Sequence, residues 1–262
     1  MTLIQALILA VVEGLTEFLP ISSTGHMVLT SYLMGIEENT FVKSFEVIIQ
    51  FGAILAVVVI YWKRFLPHWS FYKKLFVAFL PTGIIGFLLK NYIDILLSSP
   101  SVVAWSFIIG GLILIFTDKY FAHLNEEGRK IDQLQYKDSL LLGLFQSIAM
   151  IPGVSRSAAT IIGGLSLGMN RKDAAEFSFF LAVPTLAAAT LYKSFKLFKT
   201  IESSQIHLLL IGNIVAFVVA MLAIKSFIKF LSSHGFKYFG YYRIIFGLLF
   251  LIMIYSGAEL KL

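Results

Sequence analysis

The sequence contains no cysteine and few charged residues. Without cysteine the protein has no disulfide bond and no cysteine-ligated metal. Charged side chains make up 14% of its 262 residues, and 58% of the residues are hydrophobic. A typical soluble domain carries about a quarter charged residues. We therefore predict an all-α polytopic membrane protein rather than a soluble one.

The motifs of soluble enzymes are also missing. The sequence has no P-loop, no Rossmann glycine pattern, no zinc signature and no GxSxG elbow. No lysine or arginine precedes Lys43, which is unlike a cleavable signal peptide, so the first apolar segment is expected to remain in the mature protein. The net charge of +6 does not indicate nucleic acid binding, because the basic residues lie in short loops between apolar segments.

Ten apolar segments follow one another along the chain, and they differ in length. A helix that crosses the bilayer needs about 20 residues, whereas roughly 10 to 14 apolar residues are typical of re-entrant or buried segments. We therefore predict two re-entrant helical hairpins, 3–19 with 22–35 and 138–151 with 157–168, together with about six full transmembrane helices. These six are expected at 41–62, 75–93, 102–117, 173–195, 206–227 and 240–257.

The predicted single membrane domain, 1–262, consists of two similar halves. Residues 1–117 and 138–262 each contain a short hairpin followed by three longer segments, and 118–137 forms a hydrophilic cytoplasmic loop between them. Both hairpin tips contain a proline followed by hydroxyl residues. Three crossings per half is an odd number, so the second repeat is expected to have the inverted topology.

Basic residues are divided unequally between the two predicted sides of the membrane. Fourteen lie on the side of the 118–137 loop and six on the other, while Arg156 belongs to neither set. The basic side is expected in the cytoplasm, with both termini outside. The fourteen are Lys63, Arg64, Lys73, Lys74, Lys119, Arg129, Lys130, Lys137, Arg171, Lys172, Lys225, Lys229, Lys237 and Arg243. The six are Lys43, Lys90, Lys193, Lys196, Lys199 and Lys261.

The stretch from Glu13 to His26 places two carboxylates, several hydroxyls and an imidazole inside apolar sequence. Ionisable groups in a bilayer are costly, face a protein interior or a water-filled cavity, and mark a functional site by default. Glu13 and Glu17 are four residues apart on one helix face, so both carboxylates can converge on one cation. Their oxygens suit Mg²⁺ or Ca²⁺, because Mg²⁺ is commonly held by carboxylates plus substrate phosphate.

Pro20 ends the first predicted helix, because it lacks an N–H and clashes with the preceding turn. Ser22, Ser23 and Thr24 follow as candidate caps of a second helix, whose free N–H groups and dipole attract anions. Plain capping is the alternative to a chemical role, and the two can coexist at one tip. We assign Ser22 and Thr24 to substrate binding and Ser23 to catalysis.

His26 lies three residues after Ser23, on the same face of the predicted helix. It is a candidate for taking the Ser23 proton or for attacking phosphorus itself. Three routes of attack therefore remain open. The attacking group is Ser23, His26 or metal-activated water. A buried structural histidine is the alternative to a chemical role for His26.

A second polar cluster lies at the other tip, over Gly153, Ser155, Arg156 and Ser157. Arg156 has no acidic neighbour in sequence, and its planar guanidinium matches phosphate oxygens. Backbone N–H groups beside it can cradle an anion. We predict that Arg156 is catalytic and that the glycine and both serines bind substrate. The alternative is a structural pair between Arg156 and a glutamate of the first hairpin.

Both clusters resemble the undecaprenyl-diphosphate phosphatase family of the bacitracin-resistance type. The first family motif is similar to residues 13–26, and the second is similar to 152–157, followed here by Ala158 where the family often has glycine. Residues 45–50 and 174–179 also resemble family signatures. The resemblance therefore covers nearly the whole chain.

The resemblance implies a bacterial inner-membrane enzyme that hydrolyses undecaprenyl diphosphate to undecaprenyl phosphate and inorganic phosphate, which recycles the lipid carrier of cell-wall synthesis. It implies that Glu17, His26 and Arg156 are catalytic, and that Ser23 or His26 attacks. It also implies Mg²⁺ or Ca²⁺ at Glu13 and Glu17, and a site open to the periplasm. That side agrees with the distribution of basic residues.

A secondary transporter or lipid flippase for an anionic substrate is the competing interpretation, because inverted repeats with broken helices are a transporter architecture. The carboxylates would then bind coupling ions, and Arg156 would bind the substrate. The serine and histidine cluster favours the phosphatase, since a transporter needs no nucleophile. The expected partners are a polyprenyl diphosphate and membrane lipid, and a homodimer remains open.

Overall fold

The computed structural model describes residues 1–66, 69–97, 99–124, 128–197 and 201–256. Within these ranges the chain is helical and contains no strand. Lys199 and Lys261, counted above among the outer basic residues, lie outside the described residues. In chain order the α-helices are α1 Leu3–Thr16, α2 Ser23–Leu33, α3 Thr40–Ile48, α4 Gln50–Ile60, α5 Trp69–Leu88, α6 Lys90–Leu97, α7 Pro100–Tyr120, α8 Tyr136–Ile148, α9 Arg156–Ser166, α10 Arg171–Leu197, α11 Ser203–His234 and α12 Lys237–Tyr255.

Six described segments are long and apolar enough to cross a membrane, which confirms the predicted number of spans. They are α5, α7, α10, α12, residues Gln205–His234 of α11, and the segment Thr40–Ile60, which α3 and α4 form together. Helices α1, α2, α8 and α9 are shorter, between 11 and 14 residues. Within each half the short helices pack as a pair, α1 on α2 and α8 on α9.

Several predicted helix boundaries differ from the structure; the span expected at 75–93, for example, is α5, Trp69–Leu88, followed by the separate helix α6. The segment expected at 41–62 is interrupted between Ile48 and Gln50, close to where the Gly52 N–H donates to Asn213 Oδ1 at 2.8 Å. A side chain on Gly52 would overlap the backbone of Asn213, so α4 and α11 touch closely at this point. Helix α11 also extends to His234, well past the predicted end at 227, because long basic side chains keep their charge in water while their stems cover apolar surface.

Phe18, between α1 and α2, anchors the first half against the second. Its ring is fully buried and meets the Phe179 ring edge to face, with centroids 5.3 Å apart. Its backbone carbonyl accepts a hydrogen bond from Ser157 Oγ at 2.8 Å. Buried aromatic rings contribute large apolar area and a defined geometry, so this contact fixes the turn of the first short pair against α9 and α10.

Arg129 and Asp118 join several helix ends at one end of the bundle. The Arg129 guanidinium donates to Asp138 Oδ2 at 2.7 Å, and its backbone N–H donates to Gly168 O at 2.7 Å. Burial alone raises the pKa of Asp138, but the hydrogen bonds from the Gln135 N–H and from Arg129 outweigh it, so this pKa lies below its usual value. Asp118 accepts from the Phe236 N–H at 2.9 Å. The start of α8 therefore lies beside the end of α9, and the start of α12 lies beside the end of α7.

Candidate active site

Two turns of similar geometry bring the polar clusters together. The first tip, residues 17–22, joins α1 to α2, and the second tip, residues 149–155, joins α8 to α9. Each ends in a serine with positive φ, Ser22 at 68° and Ser155 at 77°, and no other described non-glycine residue has one. Such backbone is strained for an L-residue and clusters at functional sites. Ser23 and Arg156 are therefore the first residues of two equivalently started helices.

Glu17 links the candidate nucleophile to the guanidinium. Its Oε2 accepts from Ser23 Oγ at 2.5 Å, and its Oε1 accepts from Arg156 Nη2 at 2.9 Å. The Arg156 and Glu17 side chains are 12% and 4% exposed. The pair between Arg156 and a glutamate of the first hairpin, left open above, is therefore present. It does not compete with a chemical role, since Arg156, Glu17 and Ser23 all line the same cavity.

Arg156 is fixed by hydrogen bonds and by one aromatic ring. Its Nη1 donates to Ser178 O at 2.8 Å and to Ser178 Oγ at 3.2 Å, and its Cζ lies 5.7 Å from the Phe18 ring centroid. Ser178 is itself held by Thr160 Oγ1 at 2.6 Å. The buried Nε of Arg156 has no hydrogen-bond partner among the described residues. The guanidinium is thus oriented in advance and keeps a spare donor.

Glu13 is the least compensated charge at the site. It is fully buried, and neither carboxylate oxygen has a hydrogen-bond partner among the described residues. An unpaired buried carboxylate is costly, and its hard oxygens suit Mg²⁺ or Ca²⁺. The described residues contain no group of three or more His, Asp and Glu that could hold a metal ion. Glu13 and Glu17 therefore fit a cation that takes its other ligands from phosphate or water.

The two tips enclose a cavity of about 240 Å³. Most predicted site residues line it, whereas Glu13, His26 and Ser157 do not. Ser157 instead faces the Phe18 carbonyl. The lining residues are Glu17, Ser22, Ser23, Thr24, Gln50, Thr82, Ile93, Gln146, Ala149, Met150, Pro152, Gly153, Ser155, Arg156, Thr185 and Leu186.

His26 points away from this cavity. Its Nδ1 lies 2.8 Å from Ser22 O and its Nε2 lies 2.7 Å from Tyr242 Oη, so both ring nitrogens are engaged. The ring stacks on Phe246 with centroids 4.3 Å apart. The structure therefore places His26 against α12, and Ser23 meets Glu17 instead of the expected imidazole.

Among the cavity residues that were absent from the sequence prediction, three polar ones form a hydrogen-bonded chain. Gln146 Nε2 donates to Thr82 Oγ1 at 2.8 Å and to Thr185 Oγ1 at 3.1 Å. Each threonine directly follows a proline inside a helix, Pro81 in α5 and Pro184 in α10. A proline inside a helix removes a hydrogen bond and bends it. A Pro-Thr pair within an apolar segment was the sequence signal that could have located the two threonines.

The position of Arg243 differs from the one predicted from the sequence. It does not lie with the basic residues at the helix ends but is fully buried within α12, so the basic side keeps thirteen of the fourteen. It contacts both tips, since its guanidinium donates to Pro20 O at 3.1 Å, Gly153 O at 2.8 Å and Val154 O at 2.9 Å. Its other acceptors are Ser106 O and Phe107 O. Carbonyl oxygens take the place of water around this guanidinium. Counting basic residues along the sequence cannot reveal such burial.

Replacing Arg243 by methionine is expected to destabilise the protein and to separate the tips. Five buried carbonyls would lose a donor, and unsatisfied buried groups cost about 1 to 3 kcal/mol each, so we expect a loss of about 3 kcal/mol or more. The measurement is the melting temperature in detergent. The matched variant is Arg64→Met, which breaks an exposed pair with Asp132 and should cost about 1 kcal/mol or less. Equal melting of the two variants would contradict the tying role of Arg243.

These features define a multi-pass helical membrane protein whose buried cavity holds a carboxylate, a hydroxyl and a guanidinium in contact. The chain belongs to the bacitracin resistance protein BacA family, whose profile matches residues 6–249. The resemblance drawn from the two motifs is therefore confirmed.

Relatives of known name match the chain over nearly its full length. An undecaprenyl-diphosphatase of Bdellovibrio bacteriovorus is 67% identical over 262 residues, which cover 100% of both chains. One from Flavobacterium johnsoniae is 54% identical, over 97% of this chain and 96% of its own. One from Aquifex aeolicus is 49% identical, over 95% of this chain and 98% of its own.

Proposed function

We propose that this protein is an integral-membrane phosphatase that hydrolyses undecaprenyl diphosphate to undecaprenyl phosphate and inorganic phosphate. Family membership and the names of the relatives support the reaction. The observation that carries the proposal is the contact of Glu17 with both Ser23 and Arg156 in one cavity. A carboxylate beside a hydroxyl can take its proton, and a fixed guanidinium can stabilise charge on phosphate oxygens.

The chain's own residues account for the chemistry. Ser23 Oγ attacks the terminal phosphorus, its proton passes to Glu17, and the bond from phosphorus to the bridging oxygen breaks, which releases undecaprenyl phosphate. Water then cleaves the Ser23 phosphoester and releases inorganic phosphate. Arg156 binds the oxygens that gain charge, together with the first-turn N–H groups of α2, which has no side-chain cap and whose first residues Ser23 and Thr24 line the cavity. The in-line geometry costs little rearrangement because Arg156 is already fixed.

We further propose that Glu13 and Glu17 hold a divalent cation, Mg²⁺ or Ca²⁺. The unpartnered buried oxygens of Glu13 support this assignment. When bound, the cation supplies positive charge to the substrate phosphate oxygens. Binding of Mn²⁺ as a spectroscopic probe, measured by electron paramagnetic resonance, should weaken strongly in Glu13→Gln. Unchanged Mn²⁺ binding in that variant would remove Glu13 from the cation site.

Phosphate release in detergent tests the proposed reaction against transport. A transporter or flippase has no membrane to act across under these conditions, whereas the phosphatase still releases phosphate. Purified protein should hydrolyse undecaprenyl diphosphate, lose this activity in EDTA and regain it with Mg²⁺ or Ca²⁺. Absence of hydrolysis at every metal concentration, from protein that melts normally, would favour the transporter. Ser23 supports the phosphatase, because its hydroxyl is hydrogen-bonded to a carboxylate inside the cavity.

We propose that the chain is built from two repeats, 1–117 and 138–262, of inverted topology, with the loop 118–137 between them. Helix packing supports this arrangement, because exchanging the halves preserves it. Helix α1 packs on α11 as α8 packs on α5, while α4 packs on α10 and α7 on α12. The short pairs α1 with α2 and α8 with α9 are then the re-entrant hairpins, and the contacting tips lie inside the membrane.

Single-cysteine labelling is expected to place the basic helix ends in the cytoplasm and the cavity mouth on the periplasmic side of the inner membrane. The natural absence of cysteine makes every introduced thiol unique. Gln133→Cys lies beside Arg129 and Asp132 and should react with an impermeant maleimide only after the cells are opened. Glu38→Cys, between α2 and α3, should react in intact cells. Labelling in the reverse order would overturn both the orientation and the periplasmic site.

A further inference from the structure

A second cavity of about 650 Å³ lies outside the site described above, and we call it the lipid groove. The groove is apolar on its floor, where Leu15, Leu19 and Ile21 face Leu222, Phe227 and Phe239. No residue lines both this groove and the cavity that contains Ser23 and Arg156. The groove is therefore separate from that cavity and lies on a different side of the first tip.

Three exposed lysines lie beside the groove. Lys225 and Lys229 are exposed on α11, next to the lining residues Ser226 and Phe230, and Lys237 is exposed at the start of α12. Neither α11 nor α12 contains an aspartate or a glutamate, so no acidic residue of these helices offsets the three lysines. The hydroxyls of Ser226 and Tyr238 belong to the lining, and these residues are next to Lys225 and Lys237 in sequence. The lining of the groove is thus apolar with a few hydroxyls, and the three lysines lie beside it, outside the lining.

We propose that the lipid groove binds one anionic phospholipid, with an acyl chain on the apolar floor and the headgroup phosphate at Lys225, Lys229 and Lys237. Basic pockets between transmembrane helices bind anionic headgroups, and each nearby lysine adds to the attraction. An acyl chain fits a floor of leucine, isoleucine and phenylalanine, since burying that surface needs no polar partner. A zwitterionic headgroup carries no net charge and gains much less from the lysines.

Native mass spectrometry of the purified protein in detergent tests this site. The probes are phosphatidylglycerol and phosphatidylcholine with identical acyl chains. The wild type should retain phosphatidylglycerol at least about tenfold more tightly, and the variant Lys225→Gln/Lys229→Gln/Lys237→Gln should lose about tenfold or more of that binding. A control with the same charge change, Lys63→Gln/Lys73→Gln/Lys130→Gln, should bind like the wild type. None of these three lysines is next to a lining residue in sequence, whereas Lys225, Lys229 and Lys237 each are.

A second pair of variants tests the apolar floor. Ala223→Trp fills the groove and should displace phosphatidylglycerol, whereas Leu112→Trp on the exposed face of α7 should not. Melting in detergent is recorded for every variant, and if Ala223→Trp does not fold, the lysine variants decide. Equal binding of the two lipids, equal loss in both lysine variants, or displacement of phosphatidylglycerol by undecaprenyl phosphate would overturn the proposal. Conversion between monomer and the homodimer left open above, caused by the groove variants, would assign the groove to a second copy and also overturn it.

Discussion

Arg156→Lys is expected to lower kcat/KM for undecaprenyl diphosphate by about 100-fold or more without unfolding the protein. Lysine keeps the charge but cannot bind Ser178, Glu17 and a phosphate oxygen from one rigid plane. A fixed donor aimed at developing charge is worth about two to three powers of ten in rate. Phosphate release at several substrate concentrations separates kcat from KM. Retention of more than about a tenth of the wild-type kcat/KM, a loss below about 1.4 kcal/mol, would contradict this role.

The ion pair of Arg156 with Glu17 requires a control for stability. Arg156→Met leaves the Glu17 carboxylate buried without its guanidinium, and breaking a buried pair costs about 3 to 5 kcal/mol. The double variant Glu17→Gln/Arg156→Met removes both charges, so it should melt closer to the wild type than Arg156→Met does. It should nevertheless remain inactive. The carboxylate that accepts the serine proton and the guanidinium that donates hydrogen bonds to the phosphate are both missing. Activity in the double variant would reduce the pair to a structural one.

The short helices were predictable because proline and glutamate residues are energetically unfavourable inside apolar stretches. Pro20 and Pro152 interrupt apolar stretches too short to cross the bilayer, and two glutamates in the first stretch set it apart from a lipid-facing helix. The break between Ile48 and Gln50 was not predictable, because the close approach of Gly52 to Asn213 involves two segments far apart in sequence. A hydropathy pattern records only how apolar a stretch is.

The same distinction explains the site. Glu17, Ser23 and Arg156 were identifiable because a carboxylate, a hydroxyl and a guanidinium at broken helices suit phosphate chemistry, and the structure brings them into contact. The direction of His26 was not identifiable, since spacing fixes its position relative to Ser23 but not how α2 is rotated against α12. Arg243 was counted with the basic helix ends, because the sequence does not reveal its carbonyl partners. These partners belong to three segments far from Arg243 in sequence.

Ser23→Ala is expected to abolish formation of a phosphorylated enzyme and to lower the hydrolysis rate by at least about 1,000-fold. The Ser23 hydroxyl donates to Glu17 at 2.5 Å inside the cavity, so the proposed attacker and its proposed base are in contact before substrate binds. His26 has both ring nitrogens engaged, by Ser22 O and Tyr242 Oη, so neither nitrogen is directed at the cavity. We therefore expect His26→Gln to slow the reaction but to retain the phosphorylated form.

Rapid quenching with substrate labelled in the terminal phosphate distinguishes the three candidate attackers. Phosphoserine survives acid, whereas phosphohistidine does not. Label on Ser23 should therefore resist acid, disappear in Ser23→Ala and persist in His26→Gln. Glu17→Gln should also remove it, because the glutamine amide cannot accept the serine proton as a carboxylate does. Acid-labile label that persists in Ser23→Ala would assign the attack to His26, and hydrolysis without label under either quench would assign it to water.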